Sequence, residues 1–407
     1  MSLSQEARDR QSGAATRAQG DGSIVRQGFK GILATPGRVA DAVAGLFDEG
    51  RIGSRDLREY RLLAVLVAVS GIVALAAVPG APRPLMLGGI VLGALYYLIA
   101  SRRERHRVRL LNEPFPTAYR DVLWRRVPMY SLLSSDEQTR FEREIQIFLG
   151  EQRIYALGGL DAAAKNGGRG QVATDDLPLV DVTDEQRVLV AASAATLLLG
   201  RPEWRLPTAR DIVIYPTAFA EETYTLWPQS APDRQHAVGM VHAHGPILLS
   251  VDALEKSFPE LQGERGPLAR SLSAVVESPV LPHVGIHEFA HVLDFIGSEG
   301  RAGGIPGLVA PAAGGRWHER LVIERERLMD GKSILNPYGL KNEAELFAVA
   351  VESFFQDALR MRVYHPELYA LLADFFNQDP ASRLLVHHAS FMFRPWFALG
   401  PTHRPTA

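Results

Sequence analysis

The residues whose types and spacing best suit chemistry are His287-Glu288-Phe289-Ala290-His291. On an α-helix, residues i and i+4 lie on one face, so both imidazoles can bind one metal ion while Glu288 reaches an adjacent water. The flanking residues are mostly apolar, which predicts a buried helix whose imidazoles and carboxylate need a partner. A helix carrying two ordinary histidines is the alternative, because motifs this short recur by chance. The pattern favours a zinc site with Glu288 as general base.

A third ligand has to come from another segment, because catalytic zinc usually takes three protein ligands and leaves the fourth position to water. Asn336-Pro337-Tyr338-Gly339 predicts a turn, and the residues after it have helical apolar spacing. Glu345 and Glu352 fall on nearly one face of this second helix, so periodicity leaves either as the ligand. His283 is a rival four residues before His287. However, three ligands in a row on one straight helix cannot surround a tetrahedral ion.

Composition narrows the class of protein. The chain has 407 residues, of which 46% are hydrophobic and 22% charged, as expected for a folded protein. Its 44 basic and 46 acidic residues give a formal net charge of -2, so we expect no nucleic-acid partner. The absence of cysteine excludes thiolate zinc sites, cysteine nucleophiles and disulfide scaffolds.

Two uncharged apolar runs, residues 62–78 and 85–100, are separated by a short turn-like stretch. They predict a two-helix membrane hairpin over residues 59–101, since neither run has the polar face of a soluble helix. Arginines flank both runs, and the positive-inside rule then places both ends in the cytoplasm. The alternative is a buried helical hairpin within a soluble protein.

The remaining segments divide into a tail and a large domain. We expect residues 1–58 to be a flexible cytoplasmic tail, in which residues 29–47 form either a short amphipathic helix on a membrane or a helix packed in the soluble domain. Residues 102–400 are expected to form an α+β domain that is mainly helical, with a few short strands. The expected elements are helices at 136–149 and 183–199, strands at 212–215 and 247–251, and an inserted loop at 161–180.

Motifs along residues 110–399 carry a resemblance to a known family. They are Gly158-Gly159-Leu160, Val182-Thr183-Asp184-Glu185, Tyr215-Pro216-Thr217-Ala218-Phe219, and residues 287–294, 337–355, 366–369 and 378–380. Through them the chain resembles the Mlc titration factor A family of zinc-dependent peptidases, and residues 338–345 are also similar to the active-site segment of anthrax lethal factor. The resemblance implies a zincin-like fold and one Zn²⁺ ion held by His287, His291 and Glu345. It further implies Glu288 as catalytic base and Tyr338 as an active-site hydroxyl.

Together these features predict a zinc metallopeptidase that acts on peptide or protein substrates. The resemblance suggests aminopeptidase activity. The expected location is a bacterial inner membrane, with the catalytic domain in the cytoplasm; a soluble cytoplasmic peptidase is the alternative. A rival function is a binding protein that sequesters a transcriptional repressor, with zinc purely structural. A structural site would not need Glu288 or an open fourth position.

Overall fold

The computed structural model describes residues 57–78, 80, 87–158, 178–204, 206, 211–220, 236–241, 246–260, 282–296 and 311–392. Of the expected tail at residues 1–58, residues 1–56, which include the helix expected at 29–47, lie outside the described residues, as do residues 161–177 of the expected insertion.

The helices are α1 (Leu57–Ala76), α2 (Leu87–Ala100), α3 (Arg102–Leu111), α4 (Thr117–Arg126), α5 (Ser135–Glu151), α6 (Asp184–Leu198), α7 (Val251–Ser257), α8 (Val284–Phe295), α9 (Pro311–Met329), α10 (Glu343–Gln356), α11 (Ala358–Tyr364), α12 (Pro366–Phe376) and α13 (Pro380–Met392). The strands are β1 (Arg153–Leu157), β2 (Leu179–Val180), β3 (Asp211–Tyr215), β4 (Phe219–Ala220), β5 (His236–Ala237), β6 (Gly239–Val241) and β7 (Ile247–Ser250). Short 3-10 turns occupy Pro128–Leu132 and Pro337–Leu340.

Among the described residues, 57–103 form one compact unit and 104–392 a second. In the first unit, α1 and α2 pack against each other, and Gly93 lies so close to α1 that a Cβ there would be 2.5 Å from the Ala64 carbonyl oxygen. The outer faces remain apolar and exposed, as shown by Leu62 at 66% and Val91 at 63% exposure. Such faces are disfavoured in water.

Helix length distinguishes the two apolar helices. With 20 residues, α1 is the one described helix long and apolar enough to cross a membrane, because it extends about 30 Å, the thickness of a bilayer core. The 14 residues of α2 make a shorter apolar helix. The first predicted apolar run therefore corresponds to a helix of spanning length, and the second does not by itself reach that length.

The second unit is mostly helical and contains a small mixed sheet, so the α+β class is confirmed. The sheet has the order β2-β1-β3-β7-β6, in which β1, β3 and β7 are parallel and the outer strands β2 and β6 are antiparallel. Residues 212–215 of β3 and all of β7 are buried, as expected for apolar strands covered on both faces. These are the two strands that the sequence predicts.

The centre of this unit is α6. Thr183 caps it through a reciprocal pair of hydrogen bonds with Gln186, which satisfies two backbone N–H groups at its start. All residues from 188 to 198 are buried. The small residues allow close packing, since a Cβ on Gly285 of α8 would lie 2.6 Å from the Cβ of Ser193. Helix α8 is thereby held against α6 on one side, and it packs against α10 and β6 on others.

Candidate metal centre

His283 stands at the start of α8 as its capping residue. Its Nδ1 accepts a hydrogen bond from the backbone N–H of Ile286 at 3.1 Å, and its ring meets Phe258 edge to face. Burial lowers the pKa of His283 to about 3, so the imidazole is neutral and Nδ1 is available as an acceptor. His283, the rival ligand, thus caps α8 and does not join the cluster described next.

Three side chains that the sequence singles out meet at one point. The Nε2 atoms of His287 and His291 are 3.2 Å apart, and Oε2 of Glu345 lies 3.0 Å from the first and 3.2 Å from the second. The two imidazoles come from successive turns of α8, and the carboxylate comes from the first turn of α10. Asn342 caps α10 by accepting a hydrogen bond from the Glu345 N–H at 2.9 Å. This contact fixes the start of α10 and so the position of the Glu345 backbone.

These distances fit a zinc ion. Tetrahedral zinc with bonds of about 2.0–2.1 Å holds its ligand atoms about 3.3 Å apart, close to the three separations in this cluster. Two imidazoles and one carboxylate form a donor set typical of catalytic zinc sites. Among the described residues, this is the group of His and acidic side chains whose ligand atoms are close enough to hold a metal ion.

The electrostatics of the cluster also favour a cation. Burial disfavours a charged imidazole at His287, but hydrogen bonds to Glu345 and Glu352 outweigh it and raise the pKa of His287 to about 10. At Glu345, burial is likewise outweighed by the two imidazoles, which hold its pKa well below the usual range. The site therefore stabilises positive charge at the point where the donor atoms converge.

Glu352, the other candidate ligand, lies behind His287. Its Oε1 accepts a hydrogen bond from the His287 Nδ1–H, and its Oε2 accepts one from the backbone N–H of His283 at 3.1 Å. With Nδ1 bonded to Glu352, Nε2, which faces Glu345 and His291, is the ring nitrogen that would bind a metal ion. The structure thus brings Glu345 into the cluster, whereas Glu352 orients a ring of the cluster from outside.

Glu288 is buried beside the cluster, with 4% of its surface exposed. Its carboxylate faces β6 at Gly239, where a Cβ would lie 2.7 Å from both Cγ and Cδ of Glu288. Burial raises the pKa of Glu288 to about 6, with the two imidazoles opposing the rise and the nearby carboxylates adding to it. A carboxylate with a pKa this close to neutrality can both accept and release a proton.

Tyr338 lies at the exposed edge of the cluster, on the 3-10 turn that precedes α10. The turn begins at Asn336, whose side chain accepts a hydrogen bond from the Tyr338 N–H at 3.0 Å. The ring of Tyr338 is 6.0 Å from that of His287, and 47% of the residue is exposed. A hydroxyl in this position can reach a molecule bound beside the cluster.

A buried hydrogen-bonded pair anchors the segment leading into that turn. Glu324 of α9 and His365 are both fully buried, and the carboxylate accepts a hydrogen bond from His365 Nδ1 at 2.5 Å. The other ring nitrogen of His365 accepts the Ile334 N–H at 3.3 Å and lies 3.2 Å from the Ser333 hydroxyl. Because these contacts hold residues 333–334, they limit the movement of the adjoining Tyr338 turn.

A known family matches the part of the chain that contains this cluster. The model of the family described as glucose-regulated metallo-peptidase M90 matches residues 100–167 and 171–377. The chain belongs to this family. Membership indicates a metallopeptidase-like function and a metal ion, which in such enzymes is usually zinc.

Similar proteins include slr2042 of Synechocystis sp., 26% identical over 277 residues that cover 67% of this chain and 88% of the relative. Mlc titration factor A of Pectobacterium atrosepticum is 26% identical over 276 residues, covering 63% of this chain and 85% of the relative. The protein of the same name from Salmonella schwarzengrund is 25% identical over 296 residues, covering 68% and 91%.

Two residues that contact the candidate site were missed by sequence reasoning. Lys341 donates a hydrogen bond to the Tyr338 hydroxyl at 3.1 Å; its position three residues after Tyr338 and four before Glu345 is a helical spacing that could have indicated this contact. Gly239 stands in a three-residue strand, where nothing in the local sequence signals an approach to Glu288.

Proposed function

We propose that this chain is a zinc-dependent peptidase in which His287, His291 and Glu345 hold one zinc ion. The observation that carries the proposal is the convergence of the three donor atoms within 3.0–3.2 Å of one another beside the buried carboxylate of Glu288. A purely structural site would have no use for such a carboxylate.

A zinc ion at this point would supply Lewis acidity, lowering the pKa of a bound water to about 7 and polarising the peptide carbonyl. Glu288 would accept the proton of the attacking water and then deliver it to the leaving amine. Its elevated pKa of about 6 suits both transfers. The Tyr338 hydroxyl would donate a hydrogen bond to the carbonyl oxygen as that oxygen gains negative charge.

The exposure of Tyr338 and the family resemblance support a peptide substrate. Tyr338 is exposed enough to meet a peptide from solvent, and the resemblance to the Mlc titration factor A family favours aminopeptidase-like activity of a zincin-like domain over residues 102–400.

We also propose that α1 and α2 form a membrane hairpin in a bacterial inner membrane, with the catalytic domain in the cytoplasm. The apolar exposed faces of both helices and the arginines that flank them support this placement.

A second candidate function is the binding of a transcriptional repressor. It is favoured by the printed name of the relatives, Mlc titration factor A. Under this alternative, zinc would hold α8 and α10 together and Glu288 would have no chemical task.

The experiment that separates the two functions compares the full chain with Glu288→Gln in zinc content and peptide hydrolysis. Glu343→Gln is the matched control, because Glu343 is an exposed glutamate on α10. We expect Glu288→Gln to keep zinc and lose hydrolysis, since an amide replaces the shape of the carboxylate but not its basicity. Hydrolysis retained at the wild-type rate would reject catalysis and favour the binding function.

A further inference from the structure

Lys341 connects Tyr338 with the metal cluster. Its Nζ donates a hydrogen bond to the Tyr338 hydroxyl oxygen at 3.1 Å and lies 5.2 Å from the centre of the Tyr338 ring. The same ammonium is 3.7 Å from Oε1 of Glu345. Oε2 of that carboxylate faces the two imidazoles. One carboxylate thus contacts the imidazoles through one oxygen and Lys341 through the other.

We propose that Lys341 is a positioning residue that holds the Tyr338 hydroxyl beside the cluster. This inference rests on the proposed peptidase function and deepens it. Tyr338 is 47% exposed, so packing restrains its ring less than that of a buried tyrosine, and a directional contact to the hydroxyl adds to that restraint. Lys341 supplies that contact, and its attraction to Glu345 restrains the ammonium in turn.

The direction of the hydrogen bond matters for the chemistry. An ammonium group only donates, so the Tyr338 oxygen accepts in this contact and its hydrogen points to another acceptor. A hydroxyl that accepts from a cation is also a stronger donor, because hydrogen bonds in a chain polarise one another. Lys341 therefore orients and strengthens the donor that is proposed to stabilise the carbonyl oxygen in the transition state.

A competing role for Lys341 is direct recognition of a carboxylate on the substrate. The side chain is 41% exposed, so a substrate could reach it. However, its described contacts with Tyr338 and Glu345 already place the ammonium, and a substrate would have to displace them. The two roles predict different dependence on Tyr338, and a double-mutant cycle distinguishes them.

The test uses the full chain in detergent and compares wild type, Lys341→Met, Tyr338→Phe and the double variant. If Lys341 acts through Tyr338, Lys341→Met lowers kcat by about 10-fold with little change in KM. This is smaller than the about 100- to 1000-fold loss of kcat that follows complete removal of an oxyanion donor. The same change in the Tyr338→Phe background then has little further effect. Lys341→Arg should restore most of kcat, and Lys332→Met, at an exposed lysine paired with Asp330, is the control.

Other outcomes of the cycle overturn the proposal. A loss that is equally large without the Tyr338 hydroxyl, or one that appears in KM and depends on substrate charge, would assign Lys341 to substrate recognition. Weaker zinc binding by Lys341→Met, measured by competition with a chelator, would assign it to the metal through Glu345. An unchanged kcat would remove it from the mechanism.

A spectroscopic measurement makes the test independent of turnover. In protein labelled with ¹³C at the tyrosine Cζ, the Tyr338 resonance is identified by its disappearance in Tyr338→Phe. We expect Lys341→Met to shift this resonance and Lys341→Arg to restore it, while Lys332→Met leaves it in place. A wild-type protein that hydrolyses no peptide would refute the proposed function alone, whereas an unmoved Tyr338 resonance in Lys341→Met would refute the role of Lys341.

Discussion

Replacing Gly239 by alanine should slow peptide hydrolysis without removing zinc. A Cβ at residue 239 would come closest to Oε1 of Glu288 and would lie 2.7 Å from its Cγ and Cδ, whereas ordinary contact begins near 3.4 Å. The carboxylate must therefore retreat by more than about 0.7 Å, the difference between 3.4 and 2.7 Å, because its oxygen is closer still, or β6 must move by as much. Glu288 is 4% exposed and closely surrounded, so it has little space in which to adapt.

The size of the effect follows from that displacement. A misplacement of about 1 Å at a reacting group can cost about 100-fold in rate, so a shift of more than about 0.7 Å should reduce kcat by at least about 10-fold, and by about 100-fold if it reaches 1 Å. Zinc content should stay at the wild-type level, because Glu288 is not one of the three converging donors. The elevated pKa of Glu288 arises first from its burial, which one added methyl group does not remove.

The assay is steady-state hydrolysis of a peptide by zinc-loaded protein, with metal analysis and thermal melting of the same samples. Gly315→Ala is the matched control, since a Cβ there meets nothing within 4 Å and the residue lies on α9, where alanine is at least as stable as glycine. Full kcat in Gly239→Ala would refute the argument from steric contact. Loss of zinc in that variant would show that the displacement reaches the ligands, which the reasoning excludes.

Three further predictions concern the ligands, pH and the membrane. Glu352→Gln should weaken zinc binding by about 10- to 100-fold in chelator competition, because His287 loses the carboxylate that orients its ring; unchanged affinity would contradict this. Burial raises the pKa of Asp357 to about 6, although Arg360 opposes the rise. The folded state then holds this proton more tightly than the unfolded state, so this group lowers stability as pH rises from about 4 to 6, by up to about 3 kcal/mol. Asp357→Asn should remove that dependence from thermal melts. Finally, the exposed apolar face of α1 predicts that the full chain sediments with membranes, and a chain that stays soluble without detergent would refute insertion.

The elements nearest the chemistry could be predicted from sequence because they depend on short-range geometry. The spacing of His287 and His291 places both rings on one face of any α-helix, so their proximity needs no knowledge of the fold. The apolar residues of β3 and β7 indicated buried strands, and the Thr183 capping pattern indicated the start of α6. The position of α1 likewise follows from its apolar run, although the helix begins at Leu57, five residues before that run.

The identity of the third donor could not be reached in that way. Glu345 and Glu352 are separated by seven residues, nearly two full helical turns, so periodicity places both on one face. Which of them meets the Nε2 atoms depends on where α10 crosses α8 and how far along its axis. The structure brings Glu345 to that crossing, next to Nε2 of His287. Glu352 lies on the opposite side of the same ring, next to Nδ1.

The contacts that complete the site are long-range in the same sense. Gly239 approaches Glu288 only because β6 pairs with β7 at the edge of the sheet beside α8. Glu324 and His365 are 41 residues apart, yet the hydrogen bond between them anchors the segment before Tyr338. Local sequence determines which side chains share a helix face or a strand. Only the packing of those helices and strands decides which faces meet, because that choice depends on close contacts between segments distant in the chain.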